Sequence, residues 1–170
     1  MYCCNYRSPI GKLTIASTDV GICGIWIEGQ KHFPTVLPTC ILPGEGPTPM
    51  LLSCRWLDAY FAGEEPSISS IPMDPHGSKF QMLVWKHLCS IPYGCTVTYG
   101  QLADTIAQEL GVTKMSAQAI GGAVGRNPIS IIIPCHRVVG VRGQLTGYAG
   151  GISNKQWLLQ HENKCKKQIG

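Results

Sequence analysis

The rhythm of hydrophobic and polar positions changes about halfway along the chain. In the first part it is that of strands. Lys12-Leu13-Thr14-Ile15-Ala16-Ser17 alternates polar and apolar residues, as a half-buried strand does. Ser8-Pro9-Ile10-Gly11 before it is turn chemistry, so residues 2–6 and 12–17 are expected to form a hairpin. Residues 22–27 make a third expected strand. Prolines at 34, 38, 43, 47 and 49 predict a loop over 34–49. Met50 to Phe61, rich in leucine and aromatics, has the length of a helix ending near Gly63. Residues 64–77, with Pro66, Pro72, Pro75 and several serines, read as a linker.

Beyond the linker the rhythm is helical. Ser78-Lys79-Phe80-Gln81 is a capping box, in which the Ser and Gln side chains satisfy free backbone N–H groups. Phe80, Leu83, Val84, His87 and Leu88 follow it at helical spacing. Pro92-Tyr93-Gly94 ends that segment. Thr98-Tyr99-Gly100-Gln101 is a second capping box, opening a helix to Leu110 with Gly111 as its cap. Ser116 starts a short helix of small residues, 117–124. Two short helices joined by a turn resemble a helix-turn-helix, and a tight helix–helix packing face accounts for the small residues equally well. Ile129 to Ile133 is an apolar, β-rich run expected to be a buried strand. Ser153-Asn154-Lys155-Gln156 reads as a third capping box. The predicted class is α+β. Residues 1–75 form a small N-terminal α/β domain with an antiparallel sheet, residues 77–165 a mostly helical domain, and 166–170 a tail.

Composition narrows the possibilities. Of 170 residues, 44% are hydrophobic and 14% charged, enough apolar side chain for a sizeable core. The longest apolar runs are a few residues, against the roughly 20 a membrane-spanning helix needs. No basic segment followed by an apolar one opens the chain, so a cytoplasmic location is expected. The nine cysteines are then expected to stay reduced. No Cys-x-x-Cys spacing occurs, and no metal is expected. Charge is unevenly spread. Up to His76 there are four Lys/Arg and seven Asp/Glu; from Gly77 onward there are ten and three. A basic C-terminal half points to a polyanion, and a solvated tail at Lys164, Lys166 and Lys167 explains only part of the excess.

Candidate chemistry centres on Cys135. Pro134 fixes its own φ and biases Ile133 towards extended geometry, so the thiol sits rigidly at the end of a buried run. His136 and Arg137 follow at once. A thiol held beside cationic groups is expected to have a lowered pKa and to act as a nucleophile, whereas most of the other cysteines read as inert buried thiols.

Ile133-Pro134-Cys135-His136-Arg137-Val138 resembles the signature of the O6-alkylguanine-DNA alkyltransferases. Gly125-Arg126-Asn127-Pro128 precedes it, and Gly147-Tyr148-Ala149-Gly150-Gly151 and Lys155 to Glu162 follow it, all at the family's spacing. Val97 to Ala103 and Ser8-Pro9-Ile10-Gly11 are similar too. The resemblance implies single-turnover repair of double-stranded DNA carrying O6-alkylguanine, by a monomer without cofactor. The alkyl group would pass to Cys135. His136 would be the base towards Cys135 through a water, since neighbours on an extended chain point opposite ways. Glu162 would fix the His136 tautomer, although by sequence it also reads as a surface charge at a helix end. Asn127 would brace the turn before the active-site strand. Tyr99 would help turn the nucleotide out of the duplex. Tyr148 would lie against the flipped base, backbone groups of Cys135 and Val138 would accept from its amine, and the Ala149 N–H would face O6. Lys155 matches the family's active-site lysine. A winged helix-turn-helix would enter the minor groove, with Gln118, Ala119 and Arg126 facing DNA. Gln118 stands where the family often has an arginine that fills the vacated stack. Some relatives bind zinc in the N-terminal half, but their ligand spacing does not map onto Cys3, Cys4, Cys23 or His32. The alternatives are a non-catalytic damage-binding protein and a helix-turn-helix regulator.

Overall fold

A computed structural model describes residues 1–42 and 44–169. Pro43, one of the prolines read as loop formers, and Gly170, the end of the expected tail, lie outside them. The chain divides into two compact units: residues 1–76 with 128–130, and residues 77–127 with 131 onward. The excursion of 128–130 departs from a single cut near residue 76. Its cause is a pair of backbone hydrogen bonds: Ile25 N–H donates to Pro128 O at 2.8 Å, and Ser130 N–H donates to Ile25 O at 3.0 Å.

In the first unit, strands β1 (Tyr2–Ser8) and β2 (Gly11–Ser17) form the hairpin, and β3 (Ile22–Ile27) pairs antiparallel with β2. The turn works because Gly11, at φ 109°, takes a conformation closed to most residues, while Ser8 Oγ accepts from Ile10 N–H at 3.3 Å. A short strand β4 (Thr39–Cys40) lies inside the proline-rich stretch expected to be loop. It pairs parallel with β1, so the sheet, ordered β3-β2-β1-β4, is mixed rather than purely antiparallel. That pairing sets Cys3 beside Cys40, Cα atoms 4.6 Å apart, and the two form a disulfide. The expectation of reduced thiols therefore fails at this pair. Helix α1 (Thr48–Phe61) starts two residues before Met50, since proline is tolerated in a first turn. Its buried face is Met50, Ser53, Trp56, Leu57 and Tyr60. The linker is not free chain: Ile22 N–H donates to Pro72 O at 2.9 Å, and Asp74 N–H donates to Ile22 O at 2.8 Å.

In the second unit, α2 (Lys79–Cys89) and α3 (Tyr99–Leu110) both open on reciprocal capping boxes, Ser78 with Gln81 and Thr98 with Gln101. Strand β5 (Val97–Thr98) precedes α3, and Gly111 ends that helix in the left-handed conformation at φ 66°. Ser116 caps α4 (Ala117–Val124), which packs on α3 and α2. Trp85 Nε1–H donates to Ala123 O at 2.9 Å and fastens α2 to α4. Strand β6 (Val138–Val139) pairs parallel with β5. The last helix, α5 (Ile152–Ile169), begins one residue before Ser153 and continues through the stretch expected to be tail. Its first turn is closed by Lys155 N–H donating to Gly151 O at 3.1 Å, so Gly151 holds the start and Ser153 lies within the helix. Among the described residues no helix is long and apolar enough to cross a membrane.

Candidate active site

The segment from Asn127 to Arg137 is a chain of tight turns, not the buried strand that its isoleucines suggest. Only Ile129 makes a bridge, and Ile131 sits at φ 74°, a strained value for a β-branched side chain. Ile131, Ile132 and Ile133 are nonetheless buried, so burial rather than pairing explains the apolar run. Cys135 N–H donates to Ile133 O at 2.8 Å, and Pro134 between them, at φ −82° and ψ 62°, makes an inverse γ-turn. Asn127 Nδ2 braces the same turn by donating to Ile133 O at 2.8 Å and to Cys135 Sγ at 3.1 Å. Cys135 to Arg137 then form a single 3-10 turn. Cys135 and His136 therefore do not alternate as on an extended chain; successive side chains diverge by about a third of a turn.

That divergence sends His136 and Arg137 towards α5. His136 Nε2 lies 2.7 Å from Glu162 Oε1, and both side chains are fully buried. Arg137 grips the same carboxylate, donating from Nε to Oε2 at 3.0 Å and from Nη2 to Oε1 at 3.0 Å. Its Nη1 donates to Ile91 O at 2.7 Å, and its guanidinium lies 5.6 Å over the Tyr93 ring. Gly94 N–H also donates to Glu162 Oε2, at 3.0 Å. Glu162 is thus an interior residue of α5, not a surface charge at a helix end. Arg137, Tyr93 and Gly94 belong to this cluster. By sequence Tyr93 and Gly94 read as a turn, and Arg137 as part of the Cys135 motif and a charge near the thiol.

Burial alone would raise the Glu162 pKa. Hydrogen bonds from His136 and Arg137, with the Arg137 charge, overcome it and hold the carboxyl at about 2. Arg137, always charged, is the partner that guarantees the carboxylate. Burial lowers the His136 pKa despite Glu162, so the imidazole is neutral. The carboxylate can only accept, so the hydrogen-bond network assigns the proton to Nε2. Nδ1 is then a bare acceptor, buried and with no hydrogen-bond partner among the described residues. Both shifts make the fold acid-sensitive. Glu162's folded pKa is depressed, so its contribution, roughly 3 kcal/mol, is present above the unfolded value near 4.3 and lost as pH falls towards 2. His136 acts in the same direction: the unfolded chain takes up its proton as pH falls through about 6.5 and the folded chain resists it. Urea unfolding followed from pH 7 to pH 3 should show stability falling throughout, with the lowest segment flattened in Glu162→Gln. An unchanged slope in that variant would contradict the assignment.

Cys135 is 5% exposed. Burial pushes its thiol up, against the lowering by the Asn127 hydrogen bond and the Lys155 charge. The expected lowered pKa is therefore not found in the resting protein: Arg137 spends its charge on Glu162, and His136 is neutral. To act as a nucleophile, the thiol would first have to lose that proton. Lys155 is fully buried, its Nζ donating to Val138 O at 2.5 Å and to Thr146 O at 2.9 Å. Desolvation brings its pKa down to about 8. Tyr99 joins the same clamp, its hydroxyl donating to Thr146 O at 3.2 Å and its ring 5.8 Å from Lys155 Nζ. The two side chains pin the glycine-rich loop beside Cys135. Tyr148 in that loop has a buried hydroxyl without a partner among the described residues. Val138 is buried and Ala149 half-buried.

A cleft of about 570 Å³ opens beside the clamp, lined by Tyr99, Ala117, Gln118, Gly121, Gly122, Thr146 and Gly147. Gln118 on α4 and Tyr99 on α3 meet here. Ala119 and Arg126 are exposed but do not line the cleft, and neither does Cys135. The structure thus brings Cys135, Asn127, Lys155 and Tyr99 into one neighbourhood and His136 and Glu162 into contact.

Residues 1–75 match the family described as "6-O-methylguanine DNA methyltransferase, ribonuclease-like domain", and residues 79–164 match its "DNA binding domain". A methylated-DNA--protein-cysteine methyltransferase from Methanosarcina acetivorans is 41% identical over 97% of this chain and 100% of its own length. One from Haemophilus influenzae is 41% identical over 95% of this chain and 86% of its own. A crystal structure of Mycobacterium tuberculosis OGT in complex with DNA superposes with a TM-score of 0.82 at 38% identity, covering 97% of this chain and 94% of that one.

Proposed function

The chain belongs to the 6-O-methylguanine DNA methyltransferase family, and from that premise we infer that it repairs DNA directly, drawing the alkyl group of O6-alkylguanine onto Cys135. The protein is a methylated-DNA--protein-cysteine methyltransferase, consumed in one turnover because the thioether it forms is not reversed. Its partner is double-stranded DNA. The observation that carries the residue assignment is the buried Cys135 thiol held by Asn127 and Lys155, one residue before a histidine fixed by Glu162.

The chemistry follows from that arrangement. A damaged base must leave the stack to meet a buried sulfur, at a cost of a few kcal/mol that is least for a poorly paired base. Gln118 enters the vacated stack and Tyr99 crowds the phosphate beside it. Tyr148 lies against the flipped ring, the Val138 carbonyl accepts from its amine, and the Ala149 N–H faces O6. Ala119 and Arg126 contact the duplex. The Cys135 proton passes through a water to His136 Nδ1, and Glu162 stabilises the imidazolium that forms. The sulfur then attacks the alkyl carbon in line. The S–C bond forms, the C–O6 bond breaks with its electron pair passing to the guanine, and Tyr99 helps deliver a proton from solvent to that leaving base. Lys155 stabilises the thiolate while holding the loop. No cofactor enters. We assign the protein to the cytoplasm and take it to act as a monomer.

Intact mass after incubation with a duplex containing O6-methylguanine tests the reading. A gain of one methyl group, mapped to Cys135, is expected. No gain under reducing conditions, with DNA binding intact, would favour a damage-binding protein or a regulator. A second measurement addresses Gln118. Phosphate contacts make binding salt-dependent, and glutamine adds no charge. Gln118→Arg is expected to tighten binding at low salt and steepen the salt dependence by up to about one unit in the log–log slope. An identical slope would remove Gln118 from the DNA face.

A further inference from the structure

Between Asn127 and Cys135 the chain carries a residue whose side chain opposes its own backbone. Ile131 stands in the left-handed region, at φ 74°, where glycine is at ease and a β-branched residue is not. Among the described residues, two other non-glycine residues have positive φ, His32 and Arg142, and both are exposed. Ile131 is fully buried. The cost of the backbone conformation is comparable to what burying an isoleucine returns, so the one is held in place by the other. The chain is pinned on both sides of it. Before it, Ser130 N–H donates to Ile25 O at 3.0 Å. After it, Ile133 O accepts from Asn127 Nδ2 and from Cys135 N–H, each at 2.8 Å. Residues 131 and 132 span the interval between these fixed points, and the reversal of the chain falls on 131.

We propose that Ile131 is a positioning residue for alkyl transfer: its buried side chain locks the left-handed turn that brings Ile133 O to the Asn127 amide and so aims that amide at the Cys135 sulfur. The inference rests on the functional reading above, in which Cys135 is the acceptor. The Asn127 amide nitrogen carries two hydrogens. One goes to Ile133 O at 2.8 Å and the other to Cys135 Sγ at 3.1 Å. The carbonyl therefore orients the amide, and the oriented amide holds the sulfur. If residue 131 left the left-handed region, Ile133 O would swing away, and the second hydrogen would lose the contact that aims it. A glycine at 131 would reach φ 74° without cost and would leave it equally freely. The anchored isoleucine removes that freedom. In-line displacement needs the sulfur fixed against the alkyl carbon, and a misplacement of about 1 Å can slow such a reaction about a hundredfold. Ile131 thus acts through Asn127 and the turn, not on the base.

Single-turnover transfer from O6-methylguanine duplex, read beside a DNA-binding titration below the thermal midpoint of every variant, tests this on the full-length protein. Ile131→Gly is expected to slow transfer about tenfold to a hundredfold with DNA affinity unchanged. Ile131→Val, which keeps the branch at Cβ and most of the burial, should restore a rate close to the parent's. A double-mutant cycle separates positioning from general loosening. Added to Asn127→Ala, Ile131→Gly should slow transfer no further, because both changes act through the same hydrogen bonds. Ile131→Ala, expected to slow transfer in the same way, takes its place in the cycle should the glycine variant fail to fold. A rate equal to the parent's in both small variants, losses that multiply in the double variant, or a valine variant as slow as the glycine one would each overturn the proposal. A parent that takes up no methyl group would overturn the functional reading and this inference with it; a parent that does, beside a glycine variant of equal rate, overturns this inference alone.

Discussion

Cys135→Ala is expected to abolish alkyl transfer altogether while the protein remains folded and bound to DNA. No other group in the described structure combines a nucleophilic atom with the Asn127 amide and the Lys155 ammonium acting on it. A methyl side chain offers no electron pair, so the loss is complete and not a matter of rate. The fold should survive because Asn127 Nδ2 keeps its second acceptor, Ile133 O at 2.8 Å, and so is not left unsatisfied. The turn geometry is also set by backbone hydrogen bonds and Pro134, not by the sulfur. The measurement is intact mass with O6-methylguanine duplex, beside a binding titration. Methylation of the alanine variant would move the acceptor role to another cysteine.

Glu162→Ala is expected to be the most destabilising single change at the site, by about 3–5 kcal/mol. Arg137 would remain buried with its main counter-charge gone, and His136 Nε2 and Gly94 N–H would each lose an acceptor. Transfer should collapse as well, because the imidazole would lose both its tautomer and its support when charged. Stability and chemistry can be separated. Arg137→Met combined with Glu162→Leu removes both charges and fills the space with apolar side chains, so stability should largely return while transfer does not. Urea midpoints and single-turnover rates read the two effects independently. Recovery of transfer in the double variant would deny Glu162 any part in the chemistry and leave it a structural role.

What was legible in the sequence was mostly local. The capping boxes at Ser78 and Thr98 are legible because both hydrogen bonds of each box close within four residues. The same logic misplaces the start of α5, where backbone geometry at Gly151, at φ 91°, outweighs the side-chain signal of Ser153. Strand β4 is two residues held by a partner nearly 40 positions away, and no local pattern announces it or the Cys3–Cys40 pair. Five isoleucine-rich residues before Pro134 carry strand propensity, yet the fold spends them on burial and puts Ile131 in the left-handed region. At the site, the motif singles out candidate residues but not what each touches. Arg137 sits two residues from the thiol and would be expected to depress its pKa. It turns instead to Glu162, a partner 25 positions on, and the thiol is left to burial. Electrostatics depends on direction, and direction is a property of the 3-10 turn, not of the spacing.

The tight seating of the Cys135 sulfur has a consequence for the spent protein. A thioether has no proton to lose, so the Asn127 N–H and the Lys155 charge can no longer draw the sulfur towards a thiolate. The added methyl group also enters a site that is 95% shielded, where overfilling costs about 1–3 kcal/mol. Each repair event is thus expected to lower the stability of the molecule that performed it, read as a drop in thermal midpoint after incubation with O6-methylguanine duplex. The used protein is then expected to open more often than its unused sibling, a difference that limited proteolysis of alkylated and fresh protein would read.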